Sequence, residues 1–281
     1  MAYRGQAACF QNKTIVRCLH CDGLSMIPLP SDVELDDYYA RYWERHDLAE
    51  EMPLLQAQAE ARYEFIKSDL PIVQEMNVLD VGAGFGLIQN VMVSKLSGCR
   101  LNYDAVEIDP VAVDYLRGDG RTVRPRDVFA SINESKGPYQ LLILSHILEH
   151  MKSPAVFLKD QLNRVEKDGI LFIEVPNQDY LYKPLNEPHL IFFTPETLSK
   201  TVIQSGYRIL KMDTCGLLLE DLTRLKSVSR LKRIVREILP GPLLNFIRKS
   251  RKGGPFDTLI RHVSDYGPHR QWIRLAARKT I

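Results

Sequence analysis

Residues 77–86, with the sequence NVLDVGAGFG, restrict the fold of this chain more than any other segment. The first half is a short apolar run, typical of a β-strand that is covered on both faces of a sheet. The second half places Gly82, Gly84 and Gly86 at alternate positions, where glycine permits positive φ and close approach of a ligand. Ligands of open parallel sheets bind beyond the carboxyl ends of the strands. The segment therefore predicts a parallel sheet with a ligand site at this turn.

The spacing of the glycines indicates the kind of ligand. Dinucleotide-binding turns follow the pattern G-x-G-x-x-G, in which a pyrophosphate rests on a helix N-terminus. In this chain the third glycine comes one position earlier, and Leu87 stands where the dinucleotide pattern requires glycine. Asp80 precedes the first glycine by two positions. Its carboxylate would repel a pyrophosphate, but it would attract a ligand that carries an ammonium and a sulfonium group.

An acidic residue followed by G-x-G-x-G resembles the first motif of the class I S-adenosylmethionine-dependent methyltransferases. The resemblance implies S-adenosylmethionine as the cofactor and S-adenosylhomocysteine as its product. The turn residues that it assigns to the cofactor are Asp80, Gly82, Ala83, Gly84 and Gly86.

Further cofactor contacts are expected where the next strands end. Glu107 and Ile108 end a second predicted strand, and a carboxylate there can accept hydrogen bonds from ribose hydroxyls. The alternative for Glu107 is a solvated strand end, while Asp109 is predicted to cap the following helix. By resemblance, Asp127 and its neighbour Val128 meet the adenine, unless Asp127 only caps a turn. Ser145, at the end of the fourth predicted strand, completes the predicted cofactor residues.

Strands and helices alternate along the chain at the interval of βαβ units. Apolar runs predict strands at 139–145, 169–175, 207–212 and 271–279, and residues 154–166 have the apolar spacing of a helix. We therefore predict an α/β fold: a doubly wound, mostly parallel, seven-stranded Rossmann-like sheet with helices on both faces. An N-terminal extension and a helical insertion before the last strand are added to it.

Three later motifs narrow the resemblance to a bacterial branch of this family. They are SHILEH at 145–150, EVPN at 174–177 and HLIFFTPETL at 189–198. Many members of the branch act on sugars, lipids or other secondary metabolites. The acceptor should lie beside His146 and His150, our candidate catalytic residues, because an imidazole with a pKa of about 6.5 can accept a proton at neutral pH. The alternative is that one of them is structural. Candidate substrate contacts are Tyr39, Asn177 and His189.

Four segments are predicted: an N-terminal extension at 1–50, a methyltransferase core at 51–215, a basic helical insertion at 216–265, and the last core strand at 266–281. The extension contains Cys18 and Cys21 in a C-x-x-C arrangement followed by glycine, which is half of a zinc knuckle. Cys9 is the third candidate ligand. A closed zinc site needs four ligands, so we predict a degenerate, metal-free knuckle, with bound zinc as the alternative.

Residues 31–67 are predicted to be helical with a break near Pro53. The aromatic first part, which includes Tyr38, Tyr42 and Trp43, has two interpretations. Its rings pack one helix onto the core, which apolar burial explains without a ligand, or they cover the cofactor as a lid with a cation–π contact to the sulfonium.

The insertion combines apolar residues at helical spacing with a concentration of basic residues, including RKSRK at 248–252. Such a helix suits a membrane surface or an anionic, carrier-linked acceptor. The alternative is a helix that caps the sheet and whose charges are solvated.

The composition fits an enzyme of the cytoplasm. The 281 residues carry a net charge of +2 and five cysteines, and they include neither an apolar run of membrane-spanning length nor an apolar leader. We predict a methyltransferase for a small or carrier-linked metabolite, with glycans, glycolipids and nucleotide-sugars as candidates. One alternative is a non-catalytic regulatory protein that binds the cofactor. A nucleic-acid methyltransferase is disfavoured, because Ser145-His146 replaces the Asn-Pro-Pro-aromatic motif of many such enzymes.

Overall fold

The computed structural model describes residues 11–19, 22–118, 123–124, 137–182, 188–223 and 255–280. The strands are β1 (Thr14–Arg17), β2 (Leu24–Ile27), β3 (Glu75–Val81), β4 (Arg100–Val106), β5 (Val123–Arg124), β6 (Tyr139–Ser145), β7 (Val165–Pro176), β8 (Ile191–Phe192), β9 (Tyr207–Leu218) and β10 (Arg270–Lys279). The α-helices are α1 (Asp32–Tyr39), α2 (Leu48–Ile66), α3 (Leu87–Lys95), α4 (Pro110–Gly118), α5 (Pro154–Gln161), α6 (Pro195–Gln204) and α7 (Pro255–His262).

The central sheet has seven strands in the order β5-β4-β3-β6-β7-β10-β9. The five strands from β5 to β7 pair in parallel, whereas β10 is antiparallel to both of its neighbours. Six of the strands are long, and β5 has only two residues. This architecture confirms the predicted doubly wound, mostly parallel α/β sheet. The order also places the carboxyl ends of β3, β4 and β6 side by side.

Both faces of this sheet are covered, which explains why its strands are apolar almost throughout. On β3, Leu79 and Val81 pack into a buried cluster with α5 and α6. Their neighbours Met76 and Val78 pack into a second cluster with α2, α3 and α4. Successive side chains of a strand point to opposite faces, so a strand buried on both faces needs an apolar residue at nearly every position.

Three predicted boundaries were wrong. The break in the first helical region spans residues 40–47, because α2 begins at Leu48 with the Asp47 side chain accepting the Glu50 amide; Pro53 lies inside α2. The predicted helix at 154–166 ends at Gln161, since Val165 already pairs with Tyr139 at the start of β7. The strand predicted at 207–212 extends to Leu218, which pairs with Arg270 of β10.

The N-terminal extension contributes a second, three-stranded sheet in the order β1-β2-β8. Because β8 lies between β7 and α6 in the chain, this sheet attaches the extension to the core. Tyr38 of α1 is buried in the small apolar cluster that also includes Met26 and Phe192. The burial of Tyr38 agrees with the interpretation in which the aromatic residues pack this helix onto the core.

The predicted insertion is described only in part. Residues 224–254, for which the basic helix is predicted and which include RKSRK, lie outside the described residues, and α7 follows them. Within the described ranges, none of the helices combines the length and the apolar character that crossing a bilayer requires.

Candidate active site

The glycine turn follows β3 and leads directly into α3. Gly82, Gly84 and Gly86 have φ of 70°, 53° and 63°. A Cβ on Gly82 would lie 2.1 Å from Cδ1 of Ile147, so the turn packs directly against the segment that follows β6. The amides of Gly82 and Ala83 donate to the Val106 carbonyl at 2.8 and 3.1 Å. The turn is thus fixed by its neighbouring strand, and its backbone is open to close approach by a ligand.

Asp80 is buried beneath this turn. Asp80 is only 2% exposed, and its Oδ2 accepts a hydrogen bond from the Tyr103 hydroxyl at 2.7 Å. Burial raises the pKa of Asp80 to about 6, against the lowering effect of Tyr103. A cation placed next to such a carboxyl stabilises its ionised form. Asp80 therefore fits a ligand that brings an ammonium group to the turn.

Glu107, at the end of β4, binds three backbone amides. Oε2 accepts from Gly84 at 2.7 Å, and Oε1 accepts from Ile108 and Asp109 at 2.8 and 3.0 Å. Burial raises the pKa of Glu107, and these amide bonds oppose the rise. A carboxylate oxygen can accept two hydrogen bonds, so Oε2 retains capacity for a ribose hydroxyl. Asp109 caps α4 as predicted, with Oδ1 accepting from Val111 at 2.8 Å.

Trp43, between α1 and α2, lies over the glycine turn. Its indole is 3.7 Å from the position of a Cβ on Gly84, and its ring centroid is 4.8 Å from that of Phe85. The Trp43 amide also donates to Oδ2 of Asp109 at 2.9 Å. The aromatic region therefore both packs on the core, through Tyr38, and covers the turn, through Trp43.

Among the other predicted cofactor residues, Ser145 lies at the carboxyl end of β6. Its Oγ is buried and has no hydrogen-bond partner among the described residues, as expected of a group that faces a ligand. Asp127 and Val128 lie outside the described residues.

His146 lies between two carboxylates. Its Nδ1 is 3.3 Å from Oε1 of Glu149, its Nε2 is 3.1 Å from Oε1 of Glu174, and its φ is 55°. Burial disfavours the charged ring, but the attraction of Glu149 and Glu174 outweighs burial and raises the pKa of His146. An imidazolium has no lone pair with which to accept a proton. Both ring nitrogens of His146 therefore face carboxylates, an arrangement that suits a positioning role, and its role as the base stays a prediction.

Sequence reasoning missed the partners of Glu174. This fully buried carboxylate contacts Arg62 of α2 at 2.6 Å and Arg274 of β10 at 2.5 Å. Burial alone would raise the pKa of Glu174, but Arg62, Arg274 and His146 hold it well below the usual range. A signal was present, because a single acid in the apolar run of β7 and a single arginine in that of β10 each need a partner.

A second group of side chains surrounds Glu149 on its other side. The Tyr39 hydroxyl lies 2.6 Å from Nδ1 of His150, whose Nε2 is 3.9 Å from Oε1 of Glu149. The ring centroids of His150 and His189 are 4.8 Å apart, and Nδ1 of His189 is 2.6 Å from Oδ2 of Asp179. The structure thus brings together three residues predicted separately: Tyr39, His150 and His189. We call Tyr39, Glu149, His150, Asp179 and His189 the histidine cluster.

Asn177 forms hydrogen bonds to the main chain at the start of the neighbouring strand β10. Its side-chain amide donates to the Arg270 carbonyl at 2.7 Å, and its backbone amide donates to the Gln271 carbonyl at 2.8 Å. These bonds tie the end of β7 to the start of β10, and they leave the predicted contact between Asn177 and the acceptor without structural support.

Cys18 lies at the end of β1 and is exposed. Its amide donates to the Gly23 carbonyl at 2.8 Å, which closes the loop between β1 and β2. Cys9 and Cys21 lie outside the described residues, so the knuckle prediction stays a prediction.

Residues 42–212, more than half of the chain, match the family model described as a methyltransferase domain. The chain belongs to the class I S-adenosylmethionine-dependent methyltransferases. This confirms the resemblance to that family, whereas the bacterial branch indicated by the later motifs stays a prediction. The match begins at Tyr42, just before the tryptophan that covers the turn.

The chain is also similar to a named relative and, in its fold, to solved structures. Ubiquinone biosynthesis O-methyltransferase from Caulobacter vibrioides is 23% identical over 135 residues, which span 45% of this chain and 51%, about half, of that protein. A methyltransferase structure from Archaeoglobus fulgidus has a TM-score of 0.51 and 18% identity, over 80% of this chain and 94% of that one. The plantazolicin methyltransferase, solved with S-adenosylhomocysteine and a triazolic desmethylPZN analogue, has a TM-score of 0.52 and 11% identity, over 88% of this chain and 96% of that one. These structural likenesses concern the fold.

The geometry gives this methyltransferase two adjoining regions. The glycine turn with Asp80 and Glu107 forms the candidate cofactor region, and the histidine cluster follows β6 on the neighbouring strand. Ile147 joins them, since it packs against Gly82 and lies two residues before Glu149.

Proposed function

We propose that this methyltransferase moves the methyl group of S-adenosylmethionine to a hydroxyl oxygen of a small or carrier-linked metabolite. The observation that carries the proposal is the histidine cluster, which places ionisable side chains one strand away from the glycine turn. A hydroxyl must lose a proton when it is methylated, whereas a neutral amine can attack without prior deprotonation. The name of the Caulobacter vibrioides relative, an O-methyltransferase, also favours an oxygen acceptor.

The residues of the turn hold and orient the cofactor. When bound, S-adenosylmethionine supplies a methyl group that a positive sulfur activates for in-line displacement. Asp80 would attract the ammonium end, Oε2 of Glu107 would accept from a ribose hydroxyl, and, by resemblance, Asp127 would meet the adenine. Trp43 packs against Phe85 of the turn and lies over Gly84. Alignment of the reacting atoms can supply much of the rate enhancement in such a reaction.

The residues after β6 receive the acceptor. Tyr39, His150 and His189 orient the attacking oxygen, which loses its proton within the histidine cluster. His146 supports this group indirectly, because its ring lies between Glu149 and Glu174 and fixes the carboxylate of Glu149. His150 is accordingly the catalytic candidate that we retain, and His146 is a positioning residue.

An anionic, carrier-linked acceptor remains part of the proposal because of the basic residues in the predicted insertion. Contact of these residues with a phosphate group or a membrane surface stays a prediction, as do the predicted segment boundaries and the cytoplasmic location. A regulatory protein without turnover is the alternative, and a methyl-transfer assay distinguishes it from an enzyme.

The test is a labelled-methyl assay with hydroxyl and amine acceptors, each offered free, glycan-linked, lipid-linked and nucleotide-linked. We expect label in a base-stable ether. His150→Gln should slow transfer at least about a hundredfold, the lower range for a lost acid–base group, and leave calorimetric affinity for S-adenosylhomocysteine within about twofold. His262→Gln is the matched control, because His262 forms an imidazole–carboxylate contact with Asp265 at 2.7 Å outside the site. Label confined to amines, or full turnover by His150→Gln, would contradict the proposal.

A further inference from the structure

Glu149, His150 and His189 meet at one point of the histidine cluster. One ligand atom from each of them lies within 4.8 Å of the others. We propose that these three residues bind a divalent transition metal of the zinc class. Two imidazoles and one carboxylate are a known donor set for catalytic zinc, which keeps one coordination position open.

Glu149 provides the first independent argument. The residue is 1% exposed, and neither of its carboxylate oxygens has a hydrogen-bond partner among the described residues. The nearest cationic groups are imidazole nitrogens, at 3.3 Å in His146 and 3.9 Å in His150. A buried carboxylate is costly unless it is paired or coordinates a metal. The contacts with His146 and His150 both involve Oε1, so Oε2 has no partner among the described residues, and a cation between Glu149 and the two ligand histidines would satisfy it.

The anchoring of the two histidines is the second argument. Nδ1 of His189 contacts Asp179 at 2.6 Å, and Nδ1 of His150 contacts the Tyr39 hydroxyl at 2.6 Å and the Pro188 carbonyl at 3.3 Å. Histidines that bind a metal almost always engage their other ring nitrogen in this way, which fixes the tautomer and the ring orientation. In both residues, Nε2 is therefore the nitrogen to offer to a metal.

The backbone brings the ligands together before any metal binds. Glu149 and His150 belong to a short 3-10 helix, Leu148–His150, that directly follows β6. His189 comes from the segment before β8, and the neighbouring Leu190 donates its amide to the Glu149 carbonyl at 2.8 Å. This hydrogen bond joins the two ligand-bearing segments, so metal binding requires little rearrangement of the main chain.

A metal at this point would give the proposed acceptor oxygen its binding site, and this role rests on the proposed function. Coordination would lower the pKa of a bound hydroxyl, so its proton would leave to solvent at neutral pH, and His150 would then act as a metal ligand and not as the proton acceptor. The oxygen then forms its bond to the methyl carbon while the carbon–sulfur bond breaks, and the electron pair of that bond stays on sulfur. The site is separate from the cysteines of the extension, which would offer thiolates.

The experiment is a titration of the full chain with Co²⁺, followed by visible absorption and by calorimetry. The triple variant Cys9→Ser/Cys18→Ser/Cys21→Ser serves as the background, because these three cysteines of the extension would otherwise offer thiolates to cobalt. We expect about one equivalent to bind with ligand-field bands and without thiolate charge-transfer bands. Glu149→Gln and His189→Gln should weaken binding more than about a hundredfold, and Asp179→Asn by about ten- to a hundredfold. His262→Gln should leave it unchanged.

Binding of S-adenosylhomocysteine to every variant is measured in parallel and shows that each is folded. Two results would overturn the metal site, provided that the proteins bind this compound normally. One is that the background protein binds no Co²⁺. The other is that Glu149→Gln and His189→Gln bind Co²⁺ as tightly as the background protein. If cobalt binds as expected but no hydroxyl acceptor is methylated, the proposed function fails and the metal site stands.

Discussion

The glycines of the turn differ in how strictly the fold requires them. Gly84 would place a Cβ at 3.7 Å from Trp43, an ordinary contact, whereas Gly82 would place one at 2.1 Å from Ile147. The sequence pattern identified both positions as permissive for the backbone. It could not distinguish a glycine needed for its φ from one also needed for space, because Ile147 lies on a different strand connection.

We expect Gly82→Ala to lower the free energy of unfolding by about 3 kcal/mol, because strain from positive φ adds to a collision with Ile147. Gly98→Ala is the matched control, since Gly98 has φ of 89° and a Cβ added there would have nothing within 4 Å. It should cost only the backbone strain, about 1 kcal/mol. Urea denaturation measures both values, and equal losses would refute the proposed packing of the turn.

Asp80 should make cofactor affinity depend on pH. The ammonium of S-adenosylhomocysteine needs an ionised carboxylate, so affinity should be full above the pKa of about 6 and fall as the pH drops through it. Asp80→Asn should bind about tenfold more weakly at pH 8, the loss of one charge-assisted hydrogen bond, and lack the decline. Calorimetry between pH 5 and 8 measures the affinity for S-adenosylhomocysteine in both proteins. An affinity of Asp80→Asn that still falls as the pH drops would contradict this role of Asp80.

Linkage gives the opposite trend for the ligand-free protein. A pKa raised from 3.8 to about 6 means that the folded state holds this proton more tightly than the unfolded chain. The stability contributed by protonated Asp80 is therefore present below pH 3.8 and lost as the pH rises to about 6. The difference in unfolding free energy between the wild type and Asp80→Asn should follow this course.

At the scale of elements, periodicity predicted the core strands and located their carboxyl ends, because burial on both faces leaves a continuous apolar run. It did not predict which distant side chains would meet. Glu174 contacts Arg62, a residue 112 positions earlier, and Tyr39 contacts His150 across 111 positions. Such pairs depend on how whole elements cross, which no local pattern contains. The helix break predicted near Pro53 was misplaced for a related reason. The low helix propensity of proline was outweighed by the packing of α2 on the core.

The buried charges that join α2, β7 and β10 yield a stability prediction. Arg274→Met would leave Glu174 without one of its two arginines in a fully buried position, and we expect a loss of about 3–5 kcal/mol in unfolding free energy. Arg278→Met, on the same strand at a partly exposed position, is the matched control and should cost about 1 kcal/mol or less. Chemical denaturation that gives equal losses would show that the pairing contributes little.

On the scale of the whole molecule, the N-terminal extension contributes side chains to the candidate active site. Its two strands form the small sheet with β8 of the core, and its α1 contributes Tyr39 to the histidine cluster. The segment after α1 places Trp43 over the glycine turn. The sequence indicated the extension and its aromatic residues. Their meeting with the residues after β6 and before β8 could be known only from the folded chain.

The most direct test of the account is a crystal structure of the protein with S-adenosylhomocysteine. It should show the ammonium beside Asp80, a ribose hydroxyl on Oε2 of Glu107, and the sulfur directed toward the space in front of Glu149, His150 and His189. Such a structure would join the cofactor region and the histidine cluster in one active site. A cofactor sulfur that faces away from the histidine cluster, or a cofactor bound apart from the glycine turn, would contradict it.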